Sequence, residues 1–188
     1  MASDYEIKKA LKILLKFGTK KKNITLLQCN TAYPTPFRDA NLKLIQKYAQ
    51  KFKIDVGYSD HTTGIEVPIA AVALGAKIIE KHFTLSKKLL GPDHKASLNP
   101  REFATMVKCI RNIEKSLLLV RKPTKSERAN IVIARKSIVT IKKIKKGELF
   151  SQDNLAIKRP GNGMSPYLWD KVIGKKAKKN YSADIQIK

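Results

Sequence analysis

Two short stretches hold the residues best suited to chemistry in this chain. YSDHT (58–62) sets a carboxylate beside an imidazole between hydroxyl-bearing residues, and EKHFT (80–84) repeats the order acid, histidine, threonine. Two of the three histidines, His61 and His82, sit in these matching contexts, each at the end of an apolar run. Neutral imidazole is a common ligand of Zn, Mn and Fe. Two imidazoles on neighbouring strand ends could share one divalent cation. Its other positions would stay open to substrate or water, as a Lewis-acid centre requires. Two ordinary buried or hydrogen-bonded histidines would show the same spacing, so spacing alone leaves both readings open.

Three further stretches carry polar groups. GPDHKAS (91–97) is a polar loop in which Asp93 could orient a polyhydroxylated substrate or a water. An ordinary turn aspartate is the alternative, and His94 is expected to be solvated. CNTAYPTPFRD (29–39) offers hydroxyls and an amide, or is simply a loop ending on Asp39 as a helix cap. KRPGNG (158–163) couples Arg159, a rigid fork for oxygen ligands, to a loop fixed by Pro160, Gly161, Asn162 and Gly163. Taken by itself, a surface turn is the simpler reading.

Alternating helices and strands must position these groups. Helical spacing runs over 6–17, 39–52 with Asp39 as N-cap, 65–75 with Pro68 in the first turn and Gly75 as the stop, and 99–120 with Asn99 capping and Pro100 following. Short β-rich apolar runs lie between them at 23–29, 54–59 and 76–83. That order reads as parallel βα units with both sheet faces covered. Ligands in such α/β folds gather at the carboxyl ends of the strands. Cys29–Tyr33, Ser59–Thr62 and His82–Thr84 all fall there. After a Pro/Ser/Lys stretch the texture changes to short alternating strands, a KKGE turn and one helix at 166–174. The expected domains are therefore 1–121, a linker 122–128, and a small β-rich domain 129–188.

Composition narrows the classes. The net charge is +24, yet the lysines are spread over the whole chain and are not interleaved with aromatic platforms, so nucleic-acid binding is not expected. No run of eighteen apolar residues spans a membrane. The first residues read as an amphipathic helix and not as a signal peptide. Two widely separated cysteines, Cys29 and Cys109, fit a reduced, cytoplasmic chain.

Taken in order, LLQCNTAYPTPFRDANL, VGYSDHTTGIEVPIAAVALGAKIIEKHFTL, GPDHKASLNPREF and KKGELFSQDNLAIKRPGNG closely resemble the N-acetylneuraminate (sialic acid) synthases. The resemblance runs along the whole chain. It implies the C-terminal part of a (β/α)8 TIM barrel, its last three βα units, followed by an antifreeze-like (SAF) domain. It implies condensation of phosphoenolpyruvate with N-acetylmannosamine to give N-acetylneuraminate and phosphate. It implies a divalent metal, Mn2+ first and Mg2+ or Co2+ as alternatives, held by His61 and His82. By the same resemblance Ser59 and Thr31 contact phosphoenolpyruvate, and Tyr33 and Asp93 lie near the acceptor sugar. Arg159 reaches from the SAF domain into the partner subunit of a domain-swapped homodimer. Asp60 and Glu80 are expected to orient the imidazoles by hydrogen bonds.

A closed barrel takes ~250 residues, and the resemblance starts near the end of the fifth strand. The acidic and lysine residues of the earlier strands are then absent, and the chain by itself is expected to be a fragment with little or no activity. Legionaminate and pseudaminate synthases run the same chemistry on 2,4-diacetamido sugars. CNTAYPTP and RPGNGMSP look more like the neuraminate and legionaminate branches. A basic, non-catalytic binding module is the reading from another class. It predicts salt-sensitive polyanion binding without metal dependence. A flavodoxin-like phosphate binder is a weaker rival, because no glycine-rich loop follows a strand.

Overall fold

Ser3 accepts a bond from the Glu6 amide and the Glu6 carboxylate accepts one from the Ser3 amide, and this capping box starts α1 (Asp4–Lys16). The computed structural model describes residues 1–91 and 93–188. The first of its two units, Met1–Leu118, continues through β1 (Thr25–Cys29), α2 (Lys43–Phe52), β2 (Asp55–Asp60), α3 (Glu66–Ala73), β3 (Ile79–Lys81) and α4 (Pro100–Ser116). The three strands form one parallel sheet in the order β1-β2-β3. Its register sets Leu26 beside Val56, Cys29 beside Ser59, and Asp60 beside Lys81.

Side chains alternate across a strand, and the packing shows which face is which. Val56 and Tyr58 pack with Ile45, Tyr48, Val67 and Ala71 of the helices, and Leu26 and Ile79 join them. Leu27, Cys29, Gly57, Ser59, Glu80 and His82 therefore occupy the opposite face. Gly57 is required on that face, since a Cβ there would collide with the Leu27 side chain and the Ile78 carbonyl. A second cluster, Leu98, Met106 and Ile110, seats α4 against Ile65, Ile69 and Val72. Asn99 and Glu102 close a capping box at the α4 N-terminus, with Pro100 at its first position.

Several element boundaries differ from those read in the sequence. Asp39 does not cap α2. It ends a separate 3-10 turn, Phe37–Asp39, and Asn41 then adopts a left-handed φ of 51°, which breaks the helix before Lys43. The third strand stops at Lys81, and Phe83 makes only a single parallel bridge to Leu98. The α4 helix ends at Ser116, because Leu117–Val120 stay exposed and gain nothing from a helical face.

The second unit, Leu119–Lys188, starts with a capped helical turn, α5 (Lys125–Arg128), inside the stretch read as a linker, and continues with α6 (Ile131–Ala134). An antiparallel pair follows, β4 (Ser137–Thr140) with β5 (Leu155–Lys158). Isolated bridges Val139–Gln186, Ile144–Tyr181 and Leu149–Lys176 fold the remaining chain around it. Its own core is Ile138, Ile144, Phe150, Leu155, Val172, Ala177 and Ile187. The helix expected over 166–174 is a 3-10 turn, Pro166–Leu168, followed by α7 (Trp169–Val172). Among the described residues no helix is long and apolar enough to cross a membrane.

Candidate active site at the strand ends

His61 follows directly on β2 and is 5% exposed. Its Nδ1 lies 2.6 Å from the Asn30 carbonyl oxygen. A carbonyl can only accept, so Nδ1 carries a proton, and in the neutral imidazole Nε2 is then the bare nitrogen. That tautomer is the one that ligates a metal, held as metal-binding imidazoles usually are, by a backbone carbonyl on the far nitrogen. The His61 carbonyl in turn accepts from the Thr35 amide at 2.9 Å.

His82 follows β3, and its ring centroid lies 5.0 Å from that of His61, edge to face at 76°. The His82 carbonyl accepts from the Leu98 amide at 2.9 Å. Tyr33 lies against both rings, with centroids 4.0 Å from His61 and 5.5 Å from His82. Its loop is folded by local bonds: the Asn30 side-chain oxygen accepts from the Ala32 amide at 2.8 Å, and the Thr35 hydroxyl donates to the Ala32 carbonyl at 2.8 Å. Loss of water around the ring pushes the Tyr33 phenol above its ordinary value, and the nearby Cys29, Asp93 and Glu80 add to the shift.

Asp93 Oδ2 stands 3.7 Å from His82 Nδ1, beyond hydrogen-bond length. Its main chain is fixed, because the Asp93 carbonyl accepts from the Ser97 hydroxyl at 2.8 Å and from the Ser97 and Ala96 amides. His94 is not a free surface residue as expected. Its Nδ1 lies 2.8 Å from the Thr84 hydroxyl, which also lies 3.0 Å from the Ser86 carbonyl. With that hydroxyl proton given to Ser86, His94 becomes the donor and ties the Asp93 loop to the end of the third strand.

Among the described residues neither Asp60 nor Glu80 hydrogen-bonds an imidazole. Alternation puts Asp60 on the helix-covered face, where it accepts from Lys81 Nζ at 2.6 Å. Glu80 lies on the open face and accepts from the Ser59 hydroxyl at 2.6 Å. The Asn30 carbonyl, which no side-chain motif advertises, does for His61 what the carboxylates were expected to do. Lys81 was also missed, although a signal exists. It shares the period-two face of Ile79, and a lysine on a covered face needs a partner.

Ser59 is buried beside Cys29 on the open face. Thr31 is exposed, its hydroxyl 3.9 Å from the Met1 sulfur. Arg159 belongs to the second unit, where its Nε donates to the Ala134 carbonyl at 3.1 Å. The loop that carries it is latched by Ser137, whose hydroxyl donates to the Pro160 carbonyl at 2.6 Å and accepts from the Gly163 amide at 2.8 Å. A Cβ at Gly163 would meet Ser137 Cβ at 3.0 Å and Gln186 Cβ at 2.7 Å, so the turn closes only around glycine. A cavity of about 680 Å³ on this unit is lined by Arg135, Lys136, Gly161, Gly163, Ser165 and Tyr167, among others.

Among the described residues no group of three or more His, Cys, Asp or Glu side chains converges to cage a metal. The donor set is two imidazoles, one with its ligating nitrogen already bare, and it fits a cation whose other ligands come from elsewhere. Parallel βα units with polar side chains gathered at their strand ends are the arrangement found at the rim of (β/α)8 barrels.

The chain belongs to the NeuB family, whose model matches residues 1–122, and it carries a SAF domain, matched over 135–188. It is 53% identical over its whole length to N,N'-diacetyllegionaminic acid synthase of Campylobacter jejuni, covering 57% of that enzyme. The crystal structure of spore coat polysaccharide biosynthesis protein spsE from Bacillus subtilis superposes over the whole chain and 57% of its own, with a TM-score of 0.59 and 34% identity. N-acetylneuraminic acid synthetase from Leptospira borgpetersenii, solved with citrate, superposes over 70% of this chain and 45% of its own, with a TM-score of 0.62 and 42% identity. The chain thus spans about half the length of the relatives it matches.

Proposed function

We propose that the chain supplies the metal-bearing rim and the sugar-contacting arginine of a phosphoenolpyruvate-dependent nonulosonic acid synthase. Its acceptor is a 2,4-diacetamido sugar and its product N,N'-diacetyllegionaminic acid. The observation that carries the chemistry is the imidazole pair, 5.0 Å apart at adjacent parallel strand ends, with His61 held in its ligating tautomer. The choice of sugar is supported by the 53% identity to the Campylobacter enzyme over the whole chain, against 42% over a smaller share for the N-acetylneuraminic acid synthetase.

In this reading His61 and His82 hold a divalent cation, Mn2+ by preference, which supplies Lewis-acid polarisation of the acceptor aldehyde. The rest falls to the chain's own groups. Tyr33 covers the imidazole pair and keeps bulk water from it. Ser59 and Thr31 bind phosphoenolpyruvate, Ser59 by exchanging its bond to Glu80. Asp93, set by a pinned backbone, accepts from a sugar hydroxyl. Arg159 offers its terminal nitrogens to the acyl oxygen of the sugar, its Nε being fixed on Ala134. Two copies pair, each sending its SAF loop to the other's rim.

The test joins this chain to the N-terminal barrel segment of the Campylobacter enzyme. Phosphate release is then followed with phosphoenolpyruvate, Mn2+ and either acceptor. The 2,4-diacetamido sugar should show kcat/KM at least about tenfold above N-acetylmannosamine, the lower end of what one recognised group contributes. A preference for N-acetylmannosamine would return the assignment to a sialic acid synthase.

A further inference from the structure

Behind the histidine pair, on the helix-covered face, lies a buried ion pair with no place in the chemistry above. Lys81 Nζ meets Asp60 Oδ2 at 2.6 Å, and the two side chains are 1% and 0% exposed. Asp60 also accepts from the Thr62 amide at 3.0 Å and from the Thr62 hydroxyl at 3.1 Å. Lys81 donates a second bond to the Thr62 carbonyl. Thr62 is itself fully buried.

Burying two charges is expensive, and an apolar pair of like volume often serves stability as well or better. Something other than stability then has to account for this one. Its position suggests what. Asp60 and Lys81 are direct register partners across β2 and β3. Each immediately precedes one histidine of the pair, so each side chain points to the back of the sheet while the imidazole beyond it lies at the front rim. A rigid bridge at the back fixes the stagger of the two strand ends. Through Thr62 it also fixes the first residue beyond His61.

We propose that Asp60, Lys81 and Thr62 form a positioning clamp that sets the separation and orientation of the His61 and His82 imidazoles for a shared divalent cation. The clamp touches neither metal nor substrate. It acts by removing the freedom of β2 and β3 to slide, a displacement that would alter the 5.0 Å ring separation first. The inference rests on the metal reading given above.

Replacing one partner would leave a buried charge unpaired and endanger folding. The test therefore replaces both, Asp60→Leu with Lys81→Met, in the 188-residue chain. Mn2+ affinity is read from the electron paramagnetic resonance signal of the free ion, and folding from thermal unfolding by circular dichroism. A second protein, His61→Ala with His82→Ala, tests the metal reading separately. A third, Thr62→Val, keeps the charges and removes one bond of the clamp.

The clamp predicts that the apolar pair melts no lower than the unaltered chain yet binds Mn2+ about 10–100-fold more weakly, the usual cost of disturbing a ligand's support. Thr62→Val should weaken binding about fivefold, the equivalent of one ordinary hydrogen bond. Unchanged Mn2+ affinity in a folded apolar-pair variant overturns the clamp. Should that variant not fold, unchanged affinity in Thr62→Val overturns it instead. If the double alanine variant binds Mn2+ as well as the unaltered chain does, the metal reading fails and takes the clamp with it.

Discussion

His61 shows how one atom decides the chemistry of a residue. The Asn30 carbonyl at 2.6 Å forces the proton onto Nδ1 and leaves Nε2 with its lone pair. A histidine in a different loop, with a hydroxyl or water in that place, could take either tautomer. Tyr58 shows the opposite case. It is completely buried, and its hydroxyl has no hydrogen-bond partner among the described residues. Burial, reinforced by the charge of Asp60, pushes its phenol above the ordinary value of 10. An orphaned buried hydroxyl costs about 1–3 kcal/mol. Tyr58→Phe keeps the ring packing and should leave the chain about 1–3 kcal/mol more stable in urea unfolding. A raised phenol binds its proton more tightly in the folded state, so its contribution is present below pH 10 and is lost as the pH climbs toward the folded value. The alkaline limb of stability should accordingly flatten in the phenylalanine variant, and a variant destabilised by several kcal/mol would mean that the hydroxyl has a partner after all.

At the scale of elements, α4 carries the loop that ends on Ser97 and Leu98, and its N-terminus is where that loop is anchored. Asn99 and Glu102 satisfy each other's amides at 3.0 Å. Lys87 binds Glu102 at 2.7 Å and, with the Asn99 amide, holds the Glu102 carboxyl below its ordinary 4.5. Asn99→Ala should cost about 1 kcal/mol in chemical denaturation, the usual worth of an N-cap. A depressed carboxyl contributes above its unfolded pKa and loses that contribution as the pH falls through the folded one. Glu102→Gln should therefore narrow its stability gap to the unaltered chain as the pH drops below 4.5, and a gap that stays constant with pH would sink that account. The loop of Arg159 is organised in the same spirit. One hydroxyl, Ser137, grips both Pro160 and Gly163 from the adjoining strand, so the turn is preset and does not depend on its ligand.

At the scale of the whole molecule, the first unit is an open sheet. The β1 strand has its outer edge unpaired among the described residues, and Leu27, Cys29, Ser59 and His82 face away from the covering helices. A closed barrel would place further strands against both. With one face of the site unwalled, solvent reaches the His82 side chain, 33% exposed, although His61 stays buried, and the field of any bound charge is partly screened. The chain incubated alone with phosphoenolpyruvate, Mn2+ and either sugar should release phosphate at no more than background rate. Turnover at an enzymic rate of about 1 per second or faster would show that three parallel strands suffice. The SAF unit has a separate core, and its folding should be insensitive to core changes such as Ile45→Ala in the first.

Much of this was legible in the amino-acid order, because two periods carry it. Alternation over LLQC, VGYS and IIEK, with 3.6-residue spacing between them, specifies parallel βα units and so places His61, His82 and Asn30 at one rim. Asn99-Pro100 and Gly75 mark helix ends for reasons confined to a few neighbouring residues. Asp39 looked like such a signal and failed, because Asn41 two residues later took a left-handed φ. What the sequence could not reveal are bonds between elements whose stagger is set by packing. The partner of Asp60 is Lys81, 21 residues on, and the partner of Pro160 is Ser137, 23 residues back. His94 meets Thr84 only because the loop between them doubles back. Local order thus determined which residues reach the rim and which chemistry they could perform. Only the tertiary structure decided which atom of each is committed and which is free, since a hydrogen bond depends on tenths of an ångström that no single segment controls.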